Sequence, residues 1–341
     1  MLKEQFGILG LGACGSNIAN VFESMNYPTI YVNSSKDDLK AIKGAHKIAI
    51  PNADGAAKNR KYVLKLVAEH VVDIVEKITT ILPQKYIVCA FSASGGTGSG
   101  LSIPLMTYLT QIGRICIPAV VIPDESREST KAAENSYNCL AELMSINGLG
   151  ATFLLDNARG EKFAINGRFA KELDGFINLK NSSVYGVIDP AERKQILSCP
   201  GVANIAKLSK AKSTALEVIR GLSENIYAPV DAHIARYFAL STSNRSLDVN
   251  DILKEYKGVY DVFTGISDAT TIAVVAGLQF PQKRIEKFRI KFEETIDSIN
   301  NTIIHQPQPI TPLQSLSFIR EELKPTTPTN PRDILLGLLN N

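Results

Sequence analysis

The chain has 341 residues, of which 45% are hydrophobic, and a formal net charge of +3 from 37 basic and 34 acidic residues. This length suggests two domains, and the nearly balanced charge excludes a general electrostatic binder of nucleic acid. No window approaches the roughly 20 apolar residues that span a bilayer. The N-terminus runs straight into a strand and loop without a cleavable signal, so we expect a cytoplasmic protein with no membrane segment.

The cysteines argue against both a disulfide framework and a metal centre. The five cysteines are odd in number, never form CxxC, and are accompanied by only four histidines. Such spacing does not match a zinc site or a set of paired disulfides. We therefore predict no protein metal site and buried, reduced cysteines, except for Cys14, which lies inside a predicted ligand loop.

The first half of the chain alternates between strand and helix patterns. Short apolar runs bounded by turn residues predict strands at 6–12, 29–35, 46–51, 85–91, 115–123 and 151–157. Helical patterns fill most of the gaps, at 16–26, 57–82, 99–112 and 129–147. This alternation predicts an α/β fold with a Rossmann-like, mostly parallel sheet covered on both faces. Such sheets bind ligands at the carboxyl ends of their strands.

The second half departs from this alternation. Helical spacing of apolar residues follows the sixth strand, and from about residue 205 a helix near 209–226 precedes strand-like runs at 235–243 and 270–280. A further helix is predicted at 285–299, before a Pro- and Thr-rich tail. The predicted parts are a first domain at 1–164, a central helix and following loop at 165–204, a smaller α+β domain at 205–300 and a C-terminal extension at 301–341.

The segment "GLGACG" (10–15) follows the first predicted strand and opens a helix. Its backbone amides and the helix N-terminus can hold a phosphate. A dinucleotide site would also require an acidic residue at the end of the next strand, where this chain has Asn33 and Ser34. The substitution weakens the alternative of a Rossmann-type NAD-dependent oxidoreductase.

A second glycine-rich loop, "SASGGTGSG" (92–100), also lies between a predicted strand and a helix. Its small residues, bare amides and hydroxyls suit a run of consecutive phosphates. It lacks the lysine of the Walker A pattern and is therefore not a P-loop. The alternative is a flexible Gly/Ser turn.

Together these loops resemble the tubulin/FtsZ superfamily of GTPases. "GGTGSG", some eighty residues after "GLGACGSN", is similar to the signature loop of that family, and the resemblance extends over about residues 5 to 280. A third loop, "NADGAAKNR" (52–60), resembles the family's loop near the γ-phosphate. The resemblance implies a GTPase that binds GTP/GDP with Mg²⁺ and polymerises head to tail into filaments.

The resemblance also implies which positions contact the nucleotide. It places Asn17, Asn157 and Asn166 against guanine, because an amide offers both a donor and an acceptor, and Glu125 against the ribose. As isolated residues, these asparagines would be helix caps. The full set of matching positions is Gly12, Ala13, Cys14, Asn17, Gly55, Ala56, Ala57, Ser94, Gly95, Gly96, Thr97, Gly98, Ser99, Glu125, Asn157 and Asn166.

The family completes its hydrolytic site with acids from an NxDxxD loop of the neighbouring subunit. The resemblance implies that the matching residues here are Asp189 and Glu192, which would orient and polarise a water in line with the γ-phosphate. Asp248 and Asp251 have the same spacing but lie in the predicted second domain, and we assign them to an exposed helix start. For Asp189 and Glu192, the alternative is a solvated turn and helix cap.

This sequence departs from the family pattern at three positions. Ser94 replaces the first glycine of the usual triple, Val187 replaces the Asn of NxDxxD, and Glu192 stands in place of the second Asp. Because of these departures and its compact length, the sequence most resembles the plasmid- and phage-encoded tubulins of the TubZ type. That resemblance implies a filament for plasmid or phage DNA segregation or positioning, whose tail binds a DNA-bound adaptor protein. The alternative is an FtsZ-like cell-division ring protein.

Overall fold

The computed structural model describes residues 2–180, 186–209, 212–267 and 269–304. In this part of the chain the strands are β1 (Phe6–Leu11), β2 (Thr29–Asn33), β3 (Lys47–Ala49), β4 (Tyr86–Ser92), β5 (Ile115–Ile122), β6 (Ala151–Asp156), β7 (Gly201–Ser209), β8 (Tyr237–Thr242), β9 (Asp261–Ile266) and β10 (Thr270–Leu278). The first six lie where the apolar runs predict them.

The α-helices of the described ranges are α1 (Gly12–Ser24), α2 (Lys36–Ala41), α3 (Arg60–Ile81), α4 (Thr97–Gln111), α5 (Thr130–Ser145), α6 (Lys162–Ile177), α7 (Pro190–Leu197), α8 (Ala215–Ser223), α9 (Val249–Leu253) and α10 (Gln282–Ile304). Short 3₁₀ helices occupy Leu2–Gln5 and Asn157–Arg159. No helix within these ranges is both long enough and apolar enough to cross a membrane.

All of these strands join one sheet in the order β3-β2-β1-β4-β5-β6-β7-β10-β8-β9. The pairings from β3 to β7 are parallel, whereas β10 is antiparallel to both β7 and β8. The predicted α/β fold with a mainly parallel sheet is therefore confirmed. The parallel pairings bring the carboxyl ends of β1, β4, β5 and β6 to one edge, where ligands bind in such sheets.

Strands β1, β4, β5 and β6 are continuous apolar runs because helices cover both faces of the sheet. One face packs against α3, α4 and α5 through side chains such as Val67, Leu101 and Leu140. The other face packs against α1 and α6, where the Phe22 and Phe169 rings meet edge to face, 6.2 Å apart. This packing fixes α1 and α6 beside each other at the edge that carries the glycine loops.

The structure also contains elements that the sequence pattern did not reveal. Strand β7 occupies "GVANIAKLS", which crosses the predicted boundary between residues 204 and 205. Strand β9 is an edge strand of mixed burial, so its residues lack the apolar alternation of a half-buried strand. Helix α10 is longer than the predicted 285–299. The division into domains remains a prediction, and residues 305–341 of the predicted extension lie outside the described residues.

Candidate nucleotide-binding site

The two glycine-rich loops contact each other at the carboxyl ends of β1 and β4. These strands are adjacent in the sheet, so the helices that follow them, α1 and α4, begin side by side. A Cβ placed on Gly12 would lie 3.0 Å from the backbone nitrogen of Gly98. The Ser34 and Thr97 hydroxyl oxygens, from the end of β2 and the start of α4, are 2.6 Å apart.

Two glycines of the first loop are required by geometry. Gly12 has a φ of 68°, in the left-handed region that side chains disfavour. A Cβ on Gly15 would lie 2.0 Å from the carbonyl oxygen of Ala90 in β4, well inside van der Waals contact. Any larger residue at position 15 would therefore push α1 away from the sheet.

The third loop, between β3 and α3, closes against the second. The Gly55 amide donates to the Ser34 carbonyl at 3.0 Å, and the Asn59 amide donates to the Ala56 carbonyl at 2.6 Å. A Cβ on Gly96 would lie 2.8 Å from the Cβ of Ala56. The loop positions Gly55 and Ala56 are thus adjacent to the glycine-rich segment.

Helix α5 holds the second and third loops together. The Asn135 side-chain amide donates to the carbonyls of Lys58, at 3.0 Å, and Ser94, at 3.2 Å. Ala57 and Lys58 both have positive φ values, of 45° and 60°, which non-glycine residues adopt at a cost of about 1–2 kcal/mol each. The contacts from α5 offset part of that cost and fix the loop's shape.

The N-termini of α1 and α4 are suited to bind an anion. Within the described residues, neither α1 nor α4 has a side-chain cap at its N-terminus, where Leu11 and Gly96 stand. Their first N–H groups lack helical partners, and the helix dipole adds partial positive charge. Thr97, Gly98 and Ser99 form the first turn of α4. Two such N-termini at one edge can hold consecutive phosphates.

The predicted nucleotide contacts on α1 include the predicted base contact, Asn17. Ala13 and Asn17 are exposed one turn apart, whereas Cys14 is partly covered. Burial raises the pKa of the Cys14 thiol to about 12, an effect that nearby Lys162 partly opposes. The thiol is therefore neutral at pH 7. Because the Lys162 charge acts on Cys14, the start of α6 lies near the start of α1.

The other two predicted base contacts carry buried amide oxygens. Asn157 is the first residue of the 3₁₀ helix after β6, and Asn166 is in the second turn of α6 with 4% of its surface exposed. Within the described part of the chain, the Oδ1 atoms of both are buried and have no hydrogen-bond partner. An unsatisfied buried oxygen is costly, and a ligand donor would relieve that cost.

The predicted ribose contact, Glu125, is held by basic side chains of α10. Its Oε2 lies 2.6 Å from Arg284 Nη1, and its Oε1 lies 3.6 Å from Lys287 Nζ. The carboxylate is thus already engaged within the protein. Its contact with a ribose remains a prediction.

The predicted catalytic acids form a helix cap. Asp189 Oδ1 accepts from the Ala191 and Glu192 amides at 2.6 and 2.8 Å, and Glu192 Oε2 accepts from the Asp189 amide at 2.7 Å. This capping box starts α7. Asp189 is exposed and Glu192 is half-buried, so the cap leaves both carboxylates accessible.

The acids and the loops lie at opposite ends of α6. The Arg193 guanidinium donates to the carbonyl of Ile177, the last residue of α6, at 2.6 Å, and also to the Asp189 carbonyl at 3.3 Å. At its other end, α6 begins at Lys162 beside the glycine loops. A helix of this length spans about 24 Å. The structure therefore does not bring Asp189 and Glu192 to the nucleotide loops of the same subunit.

Residues 5–163 match the family model described as Tubulin/FtsZ family, GTPase domain. Residues 5–163 are therefore a tubulin/FtsZ-family GTPase domain. The matched range ends at the start of α6, so it contains β1 to β6 and the three loops described above. The resemblance seen in the glycine-rich motifs is thereby confirmed.

The similar proteins include TubZ proteins. The chain is 26% identical over 294 residues to the tubulin-like protein TubZ of a Clostridium botulinum C phage, covering 83% of this chain and 81% of that protein. A C-terminally truncated TubZ from Clostridium botulinum phage c-st superposes with a TM-score of 0.80 at 23% identity, over 87% of this chain and all of that one. A GTPγS-form protofilament of Bacillus thuringiensis serovar israelensis TubZ gives 0.72 at 18% identity, over 87% of this chain and 94% of that one.

Ion pairs around the tubulin/FtsZ-family site escaped the sequence prediction. Arg60, at the start of α3, is buried, pairs with Glu142 of α5 and donates to the Ser99 carbonyl at 3.3 Å. Glu128 accepts from Lys58 at 3.1 Å and Lys162 at 3.4 Å, which joins the third loop to α6. The third loop contains Lys58 and Arg60, but its motif does not reveal these pairs, because the partners are 34 to 82 positions away.

Proposed function

We propose that this tubulin-like GTPase polymerises head to tail into filaments and hydrolyses GTP as it does so. The observation that carries the proposal is the meeting of the two glycine-rich loops, the third loop and two uncapped helix N-termini at one edge of the GTPase-domain sheet. The neighbouring buried oxygens of Asn157 and Asn166 can accept hydrogen bonds from the guanine edge. The protofilament and two-stranded filament structures of Bacillus thuringiensis TubZ support this proposal, since they show that this similar protein assembles.

The distance along α6 supports a shared hydrolytic site. Arg193 ties Asp189 to the far end of α6, a helix that spans about 24 Å, so Asp189 would not reach the phosphates in its own subunit. A neighbour stacked head to tail would bring its acid end over those loops. Asp189 would then orient the attacking water, with Glu192 fixed beside it, and hydrolysis would depend on assembly.

We include GTP and GDP as ligands and Mg²⁺ as the accompanying ion. Phosphate oxygens are the ligands that Mg²⁺ prefers, and the ion neutralises charge on the phosphates during transfer. The described residues contain no cluster of three or more metal-ligating side chains. The chain's own contribution would be the amides of the loops around Gly96 and Gly98.

The biological role that we propose is the segregation or positioning of plasmid or phage DNA in the cytoplasm. The phage origin of the TubZ relative supports this role, and that similarity does not favour the division-ring alternative. The GTPase family match argues against the oxidoreductase alternative. The five free cysteines suit a reducing compartment. We expect an adaptor on the DNA to bind the C-terminal extension.

The test of this proposal is GTP turnover measured against protein concentration, with light scattering alongside. We expect turnover per subunit to rise sharply above a critical concentration, at the point where scattering rises. Wild-type protein diluted below that concentration serves as the unassembled control. Turnover per subunit that does not change with concentration would contradict a shared active site.

A further inference from the structure

A buried arginine at the start of α10 joins the ends of β5 and β6. Arg284 is 4% exposed, and its Nε and Nη2 atoms lie 2.7 and 2.9 Å from the two carboxylate oxygens of Asp156, the last residue of β6. The same Nη2 donates to the carbonyl of Pro123 after β5 at 2.8 Å. This planar, two-bond contact is one that a lysine cannot reproduce.

The same guanidinium reaches the loop that follows β5. Its Nη1 lies 2.6 Å from Glu125 Oε2, and Lys287, one turn further along α10, lies 3.6 Å from the other oxygen. The Phe288 ring lies under the guanidinium at 4.9 Å and shields it from water. Asp156 at the end of β6 and Glu125 in the loop after β5 therefore share one buried cation.

Both partners of Arg284 belong to segments that carry predicted nucleotide contacts. Asp156 Oδ1 also accepts from the Ala158 amide at 3.0 Å, which caps the 3₁₀ helix that begins with Asn157. The loop containing Glu125 continues to Glu128, whose carbonyl accepts from Lys291 of α10. Arg284 thus contacts the two segments that carry the predicted ribose contact, Glu125, and the predicted base contact, Asn157.

We propose that Arg284 is a positioning residue for nucleotide binding, which fixes the ends of β5 and β6 before the nucleotide arrives. Without the fork, Asp156 and Glu125 would be like charges with no buried cation between them, and the segments 123–128 and 156–158 would separate. The ordering of these segments would then be a cost of binding. The inference rests on the proposed function, because it assumes that the ligand is a guanine nucleotide.

The experiment is calorimetric titration of GTP and of GDP into dilute wild-type and Arg284→Lys protein. Calorimetry reports the dissociation constant and the number of binding sites separately. We expect Arg284→Lys to raise both dissociation constants by at least about tenfold, with close to one site per chain. The GTP to GDP ratio should stay near its wild-type value, because Arg284 does not contact the phosphate loops.

Arg289→Lys is the matched control on the same helix. Arg289 pairs with Glu286 and Glu293 on the exposed side of α10, so its replacement changes no contact to β5 or β6. We expect its dissociation constants to stay within about twofold of wild type. Equal effects of the two lysine variants would overturn the proposal.

Two further outcomes would also decide against Arg284 as a positioning residue. An unchanged dissociation constant with a reduced number of sites would mean that the arginine only keeps the chain folded. Should Arg284→Lys not fold, Asp156→Asn tests the same contact from its other side, and wild-type affinity in that variant would overturn the proposal. A wild-type chain that binds no guanine nucleotide would instead overturn the proposed function, and this inference with it.

Discussion

The two ends of α6 are built in different ways. At its first residues, the chain's own backbone forms the site, with the glycine loops in mutual contact and held by Asn135 from α5. Near its last residues, the accessible side chains of Asp189 and Glu192 form hydrogen bonds, in the described structure, with the start of α7. The loop end is fixed by packing, whereas the acid end is fixed by local capping.

This difference indicates that the two ends of α6 have different structural requirements. A phosphate site needs amides placed within a few tenths of an ångström, and close backbone packing provides that precision. A carboxylate that serves a neighbouring subunit must instead protrude from the surface. We therefore expect substitutions at the acid end to separate hydrolysis from binding, and substitutions at the loop end to remove both.

The largest effect is expected for Asp189→Asn. Asparagine retains an oxygen that can accept from the Ala191 and Glu192 amides, so the helix cap should survive while the carboxylate is lost. We expect GTP turnover in the assembled protein to fall by about 100- to 10,000-fold, the usual contribution of a positioned general base. GTP binding, measured by calorimetry, and assembly, measured by light scattering, should remain.

Asp248→Asn is the control for this experiment. Asp248 caps α9 by accepting from the Asn250 amide at 2.9 Å, and an acid, Asp251, follows three positions later, as Glu192 follows Asp189. We expect its turnover to match wild type. If Asp248→Asn loses turnover and Asp189→Asn does not, the second acid pair is the hydrolytic one and our assignment is wrong.

A smaller effect, on binding, is expected for Gly15→Ala at the loop end. The new Cβ would lie 2.0 Å from the Ala90 carbonyl oxygen, so α1 must shift away from β4. Overpacking of this kind costs about 3 kcal/mol, which corresponds to about 100-fold weaker GTP binding if the shift falls on the loop. Turnover should fall in parallel, because the phosphates lose their amides.

Gly167→Ala is the matched glycine control in α6. Among the described residues, no atom lies within 4 Å of a Cβ placed there, and alanine favours a helix interior by about 1 kcal/mol over glycine. We expect unchanged GTP affinity and equal or higher thermal stability. A Gly15→Ala chain with wild-type affinity would show that the contact with β4 does not position the loop.

The parts of the site that could be predicted from the sequence are those built from local segments. The strand, glycine loop and helix of residues 6–24 are consecutive, so their pattern is legible without the fold. The same holds for the capping box at Asp189, which the helix-cap alternative anticipated. The family's loop order then related these segments to one another.

What sequence reasoning missed depends on contacts between distant residues. Arg284 meets Asp156 across 128 positions, and nothing near Arg284 in the sequence distinguishes it from the other basic residues of α10. Strand β9 was missed for a similar reason, because its pairing with β8 places it at an edge of the sheet where burial is incomplete. Such contacts follow from the folded topology and not from local pattern.

The smallest expected effect concerns Glu172, which lies in α6 between its two ends. Its side chain is buried, pairs with Arg168 at 2.9 Å and accepts from Tyr227 at 3.3 Å. Burial raises the pKa of this carboxyl to about 7, against the opposing effect of Arg168. The folded chain therefore holds a proton that the unfolded chain, with an ordinary pKa near 4.3, releases earlier.

The sign of the pH dependence follows from this difference. The stability contributed by the protonated carboxyl is fully present below about pH 4.3 and is lost as pH rises through 7. Glu172→Gln removes the ionisation while its amide oxygen can still accept from Tyr227, so the variant should gain on wild type by about 2 kcal/mol between pH 5 and pH 8. Denaturant unfolding across that range measures the gain, with Glu286→Gln, at a half-buried position whose carboxyl pKa is lowered by Arg289, as control. A stability difference between Glu172→Gln and wild type that is independent of pH would contradict this prediction. It would show that Glu172 is ionised from pH 5 to pH 8 and forms an ion pair with Arg168.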